Sequence, residues 1–337
     1  MISYADYPPE VVDDIVRLRR RLDSVPPKAS DKNLLIASWN IRVLAGLHRE
    51  FGESPESPKR NLRALAIIAE VVRRFDVVAI QEIRGETTAI RALVDEFLGP
   101  DWGLILTDVT AGKKGNDERL GFVFDRRRIR LSGLAGEIVL PPTDTGDPVD
   151  QFDRTPYLVG FEAAGTRFSL VTAHIRYGDV PEDRLPELRR FADVTATELR
   201  KRARVNDLEI GTVIVLGDFN IDKRGDDPLF EAFVANGLVV PEELQGLKTT
   251  SGSEPKFYDQ IAWFMGSDMR LPYTRRAGVV DFTGAVFKEL TLQAMSFRVS
   301  DHFPLWAEFD TDQSATVMAA ARGLNPNSPD PFASIPD

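Results

Sequence analysis

The chain has 337 residues, a formal net charge of −10, 43% hydrophobic and 28% charged residues, and no cysteine. Disulfides and thiolate chemistry are thereby excluded, and so is binding of nucleic acid through bulk positive charge, although a nuclease whose acidic residues gather around a metal stays open. No run of about 18 apolar residues offers a membrane span, and MISYADYPPEVVDDIVRLRRRL lacks the basic start, apolar core and cleavage site of a secretory signal, so a cytoplasmic location is expected.

Residues 9 to 23 carry Val12, Ile15, Val16 and Leu22 among charges, the spacing of a surface helix packed by one face, and SVPPKASDKN breaks it. Residues 1–33 therefore read as an N-terminal helical extension. From Leu34 to about Phe309 apolar strands alternate with charged helices, with no repeat or low-complexity linker, which predicts one domain over 34–310. Apolar residues at three- and four-residue steps predict helices over 58–75, 87–98, 182–205 and 227–236. Short apolar runs predict strands over 34–39, 77–81, 103–107, 120–125, 157–162, 167–173, 212–217, 260–264 and 303–309. Two basic stretches read as structural: RKRAR at 200–204 as a helix end and DRRRIR at 125–130 as a turn with a solvated strand start. The Pro- and Ser-rich end reads as a flexible tail over 311–337.

Polar residues at the strand ends form a pattern. LLIASWN ends in Asn40, VVAIQE in Glu82, FSLVTAH in His174, and VIVLGDFN in Asp218 and Asn220. Three other strands begin on such residues: ERLGFVF at Glu118, YDQIAWF at Asp259, and SDHFPLWAEF at Asp301 and His302. If the two sets run antiparallel, all seven ends meet at one rim. Each motif alone is weak, since GDFN is also a turn in which Asp bonds its own backbone. The ordered set is far less easily met by chance, and two of the chain's three histidines belong to it. His48 is left as an ordinary loop residue.

The set WNIR, QEIR, ERLGFVF, VTAHI, LGDFN, YDQI and SDHFP resembles the endonuclease/exonuclease/phosphatase superfamily over roughly residues 34 to 309, and is most similar to its deoxyribonuclease I branch. The resemblance implies an α/β (α+β) fold, a four-layer αββα sandwich of two packed mixed β-sheets flanked by helices. It implies hydrolysis of phosphodiesters with Mg²⁺, or Mn²⁺ or Ca²⁺. Glu82, assisted by Asn40, matches the metal-binding carboxylate, and Asp301 a second acidic position near the ion. His302 with Asp259 matches the general base, and His174 with Glu118 the general acid. Asp117 remains an alternative to Glu118, one position earlier. Asp218 and Asn220 match the pair that orients water and phosphate, and Arg84 matches a phosphate-contacting arginine.

These residue types suit the chemistry. An anionic diester needs charge neutralisation, a base for water and an acid for the leaving oxygen, and each histidine needs a carboxylate to fix its tautomer. Arg42, Lys113 and Lys114 are further candidates for phosphate contact. The expected protein is a monomeric metal-dependent nuclease with DNA as substrate. A phosphatase or sphingomyelinase-like phospholipase on the same machinery, and a catalytically silent binding module, are the alternatives.

Overall fold

A computed structural model describes residues 1–53, 56–142, 145–201, 211–265, 270–312, 314–325, 328 and 330–335. Among them β1 (Asn33–Leu44), β2 (Val77–Arg84), β3 (Trp102–Leu106), β4 (Glu118–Asp125), β11 (Tyr273–Val279) and β12 (Leu305–Asp310) form one sheet, in the order β11-β12-β1-β2-β4-β3. The second sheet contains β5 (Ile129–Glu137), β6 (Tyr157–Ala163), β7 (Thr166–His174), β8 (Thr212–Asp218), β9 (Leu238–Val239) and β10 (Asp259–Phe264), in the order β5-β6-β7-β8-β10-β9. No helix of the described residues is long and apolar enough to cross a membrane.

Strand side chains alternate between faces, and β1 is apolar on both. Leu34 and Ile36 join Val77, Ala79 and Phe122 in the core between the sheets. Leu35, Ala37 and Trp39 point the other way, into a core closed by α1 (Pro9–Leu22) and α2 (Leu62–Val72). On the far side α5 (Leu185–Val194) and α6 (Pro228–Val234) cover the second sheet, where Phe219 packs between Phe191 and Phe233 at centroid distances of 5.1 and 4.5 Å. Helices, sheet, sheet, helices: this is the αββα sandwich the resemblance implied.

The N-terminal helix buries Ile15 and Leu22 as expected, but the rest of its stripe is shifted. Val11, Ile15, Leu18 and Leu22 are buried, a helical stripe in steps of three and four, while Val12 and Val16 remain exposed. Asp14, fully buried, accepts hydrogen bonds from Arg63 Nε at 2.9 Å and Phe287 N at 3.2 Å, and pins the helix to the sandwich.

Several elements are shorter than their patterns. Asn61 caps α2 by accepting from Ala64 N at 3.0 Å, so the helix starts at Leu62, not at 58. Residues 87–98 divide into α3 (Thr88–Ala92) and a π-helical turn, Leu93–Leu98, and a single turn, α4 (Gly112–Gly115), precedes β4. Residues 182–205 divide into a 3₁₀ turn, α5 and a second π-helical turn, Thr195–Leu199. Residues 202–205, with most of RKRAR, lie outside the described residues. Strands β9 and β11 leave no clear pattern in the sequence, and β5 only its start, because each lies at a sheet edge where burial is one-sided or brief. DRRRIR forms the expected turn, over residues 126–128, and leads into β5 at Ile129, but it is not wholly solvated: Asp125 and Ile129 are buried and Arg128 donates to Asp76 and to Asn33 O.

The topology sets the rim. β1 and β2 are parallel, as are β7 and β8, while β4, β10 and β12 run antiparallel to β2, β8 and β1. C-terminal ends of the first four and N-terminal ends of the last three therefore share one edge of the sandwich.

Candidate active site

Asn40 and Glu82 sit where their strands buckle. The β1–β2 register shifts between Asn40 and Leu44, and the β2–β4 register between Ile80 and Ile83. Glu82 and Val43 adopt positive φ, 61° and 46°, a costly conformation for a β-branched residue and one that concentrates at functional sites. The bulges turn Glu82 so that Oε1 accepts from Asn40 Nδ2 at 3.0 Å and Oε2 from Val43 N at 2.9 Å. The Asn40 amide also donates to Asp218 Oδ2 at 2.9 Å and so joins the two sheets.

Asp218 ends β8 with His174 beside it on β7 and Asp259 beside it on β10. The close approach of β7 and β8 depends on Gly217, at φ 150°, where a Cβ would come within 2.1 Å of Ala173 O. The two oxygens of Asp218 divide their work. Oδ1 accepts from Asn220 N at 3.0 Å, a turn that carries Asn220 into φ 51° and lets its Nδ2 donate to Ile175 O at 2.7 Å. Oδ2 faces the rim, 3.6 Å from His174 Nε2 and 3.8 Å from His302 Nε2. The turn reading of GDFN and the site reading are both realised, one on each oxygen.

Each imidazole has its own carboxylate on Nδ1. His302 Nδ1 lies 2.8 Å from Asp259 Oδ2, and His174 Nδ1 lies 2.8 Å from Glu118 Oε2. Glu118 rather than Asp117 takes this place. It is held by Arg154 Nε at 2.7 Å, Asn116 Nδ2 at 2.7 Å and Arg84 Nη2 at 3.5 Å. Burial disfavours the charge on Glu118, but His174, Arg154 and Arg84 outweigh it and bring the carboxyl down to about 2. For His302 burial acts against the imidazolium, yet Asp259, Asp218 and Asp301 raise it to about 10. His174 is raised too, since Glu118 and Asp218 overcome burial and Arg154.

The expected cations differ in placement. Arg84 is mostly buried, and besides Glu118 it lies 3.9 Å from Glu82. Arg42 donates to Asp301 Oδ2 at 3.1 Å and Ser296 Oγ at 2.7 Å. Lys114 is exposed, 3.8 Å from Asp153, and the side chain of Lys113 lies outside those described. Arg154 was not singled out from the sequence, because it stands in a loop with no pattern around it.

Hard oxygen donors suit a divalent cation, and the site supplies them. Asn40 Oδ1 is buried with no hydrogen-bond partner, beside the carboxylates of Glu82 and Asp218. Donor atoms of Asp218, Asp259 and His302 also lie within 4.8 Å of one another, and Asp259 Oδ1 is buried without a hydrogen-bond partner, so these residues form a second candidate set of ligands. Asn40 and Glu82 could hold an ion through oxygen atoms alone, while Asp301 is half-exposed and engaged by Arg42.

A family model described as the Endonuclease/Exonuclease/phosphatase family matches residues 37–302. A deoxyribonuclease from Thioalkalivibrio sp. (strain K90mix) is 28% identical over 296 residues, 84% of this chain and 73% of that protein. Deoxyribonuclease gamma from Rattus norvegicus is 25% identical over 305 residues, 84% of this chain and 87% of the relative. Among solved structures, an endonuclease/exonuclease/phosphatase from Bacteroides vulgatus superposes with a TM-score of 0.55 at 16% identity, over 82% of this chain and 98% of the other, and supports the fold alone.

Proposed function

The chain belongs to the endonuclease/exonuclease/phosphatase family, and from that premise we propose that it is a divalent-metal-dependent phosphodiesterase, a nuclease that cuts DNA. The observation that carries this reading is the shared approach of two imidazoles to Asp218 Oδ2, each imidazole backed by a separate buried carboxylate. Two proton-handling groups on either side of one anionic oxygen supply both halves of an in-line hydrolysis. His302, oriented by Asp259, would take the proton of the attacking water once a bound divalent cation offsets the carboxylates that otherwise keep its imidazole protonated. His174, oriented by Glu118, gives a proton to the leaving oxygen. Asp218 orients the water and, through Asn40, is tied to Glu82.

Mg²⁺ held by Asn40 and Glu82 would supply positive charge to the diester and share its coordination with water and phosphate. Arg84 adds a guanidinium beside Glu82 and Glu118. The deoxyribonuclease relatives, aligned over most of this chain, favour DNA among phosphodiesters.

The test is cleavage of plasmid and linear DNA with Mg²⁺, Mn²⁺ or Ca²⁺, comparing wild type with His174→Ala and His302→Ala. Each variant is expected to lose about 10²- to 10⁴-fold in kcat. Intact DNA with the wild type under all three metals would sink the reading.

A further inference from the structure

The reading above uses nothing from α7 (Leu292–Ser296), the short helix ahead of Asp301. Phe297 follows it and is 43% exposed. A lone exposed phenylalanine needs no explanation, but this ring is held in place. The Arg42 guanidinium lies 4.0 Å from its centroid, a cation–π contact that fixes both partners. The same guanidinium reaches Ser296 and Asp301, the residue before His302. Two contacts thus link the ring to Asp301, the chain neighbour of the proposed base.

Arg42 is also a ridge between two hollows. One, of about 480 Å³, opens onto Asp301, His302, Tyr258 and Lys256. The other, of about 540 Å³, is lined by Phe297 with Leu47, Pro58 and Lys59. A strand whose scissile phosphate lies at His302 and which continues over the ridge brings its next nucleotide to Phe297. Every base has a π face, and aromatic rings and guanidinium planes are the surfaces on which unpaired bases stack.

We propose that Phe297, braced by Arg42, is the stacking platform for a nucleobase next to the scissile phosphate, and so makes the site selective for base-bearing strands over other phosphodiesters. The proposal rests on the phosphodiesterase reading and deepens it.

The experiment compares wild type, Phe297→Ala and Phe297→Trp on a labelled single-stranded DNA oligonucleotide and on an abasic strand of equal length, which keeps sugars and phosphates and lacks bases. Steady-state kinetics are paired with Kd from fluorescence anisotropy in a His302→Ala background. Phe297→Ala is expected to raise KM and Kd for the base-bearing strand about tenfold, with little change in kcat. Phe297→Trp should restore both, and the Ala penalty should vanish on the abasic strand. Equal losses on the two strands, or none on the base-bearing one, would overturn the platform. Should the wild type cleave neither strand, the nuclease reading fails while the ratio of the two Kd values still decides for or against Phe297. Equal Kd for the two strands in the His302→Ala background with Phe297 intact counts against it.

Discussion

His174 and His302, 128 residues apart in sequence, present their Nε2 atoms to one carboxylate oxygen, Asp218 Oδ2, from 3.6 and 3.8 Å. Because β8 lies between β7 and β10, that oxygen is the point through which the Glu118–His174 and Asp259–His302 pairs meet.

Asp218→Asn removes the charge while keeping the side chain's size and an oxygen for the Asn220 turn. Turnover on DNA is expected to fall about 100-fold or more, the usual weight of a group that aligns proton transfer. The melting temperature should fall as well, because the new amide turns a donor toward the Asn40 Nδ2 that Oδ2 now accepts from. Steady-state kinetics at saturating Mg²⁺ check this, and near-normal kcat would remove Asp218 from the mechanism.

Metal dependence should follow Glu82. Glu82→Gln is expected to raise the Mg²⁺ concentration for half-maximal activity about tenfold, the lower end of what loss of a supporting group costs metal affinity. Calorimetry should show weaker Mg²⁺ binding in parallel. Asp301→Asn should shift both less, because Arg42 already occupies that carboxylate. EDTA should abolish activity, and excess Mg²⁺ restore it.

Arg60 is buried under the rim and donates to four backbone carbonyls, those of Arg42, Val43, Arg298 and Val299. Burial lowers its pKa to about 10, and the guanidinium ties the β1 bulge to the segment carrying Asp301 and His302. Arg60→Met leaves these acceptors without their donor, an expected loss of about 3 kcal/mol. Arg60→Lys should recover only part of it, since an ammonium cannot match the planar fork. Urea unfolding curves measure both, and a loss under about 1 kcal/mol for Met would contradict the assigned role.

Acid should weaken the fold through two buried carboxylates. Glu118 and Asp125 are brought to about 2 from ordinary values of 4.5 and 3.8. Burial opposes both shifts, which His174, Arg154 and Arg84 drive at Glu118, and Arg127 and Lys28 at Asp125. A depressed folded-state pKa stabilises above the unfolded value, so the contribution is complete above about pH 4.5 and lost as pH falls toward about 2. Urea midpoints between pH 7 and pH 2.5 should decline below pH 4.5. Glu118→Gln should flatten that decline, and an unchanged slope would count against the pairing.

Much of this protein is local and could be read from the chain alone. Apolar runs such as LLIASW and TVIVLG must be buried on both faces, so strands within two covered sheets follow from side-chain alternation. The polar residues that end those runs, from Asn40 to His302, are where an apolar strand has to stop, which made the chemistry legible before any contact was known. Other features depend on register between strands far apart in sequence, and only the tertiary structure decided them. The bulges that turn Glu82 toward Asn40, and the split of Asp218 between its own turn and two imidazoles, are of this kind. So is the recruitment of Arg154 from a loop to hold Glu118. The choice of Val11 and Leu18 over Val12 and Val16 on the N-terminal helix was settled the same way, by what lay beneath it, because a side chain's partner across a sheet is set by strand pairing and packing and leaves no trace in neighbouring residues.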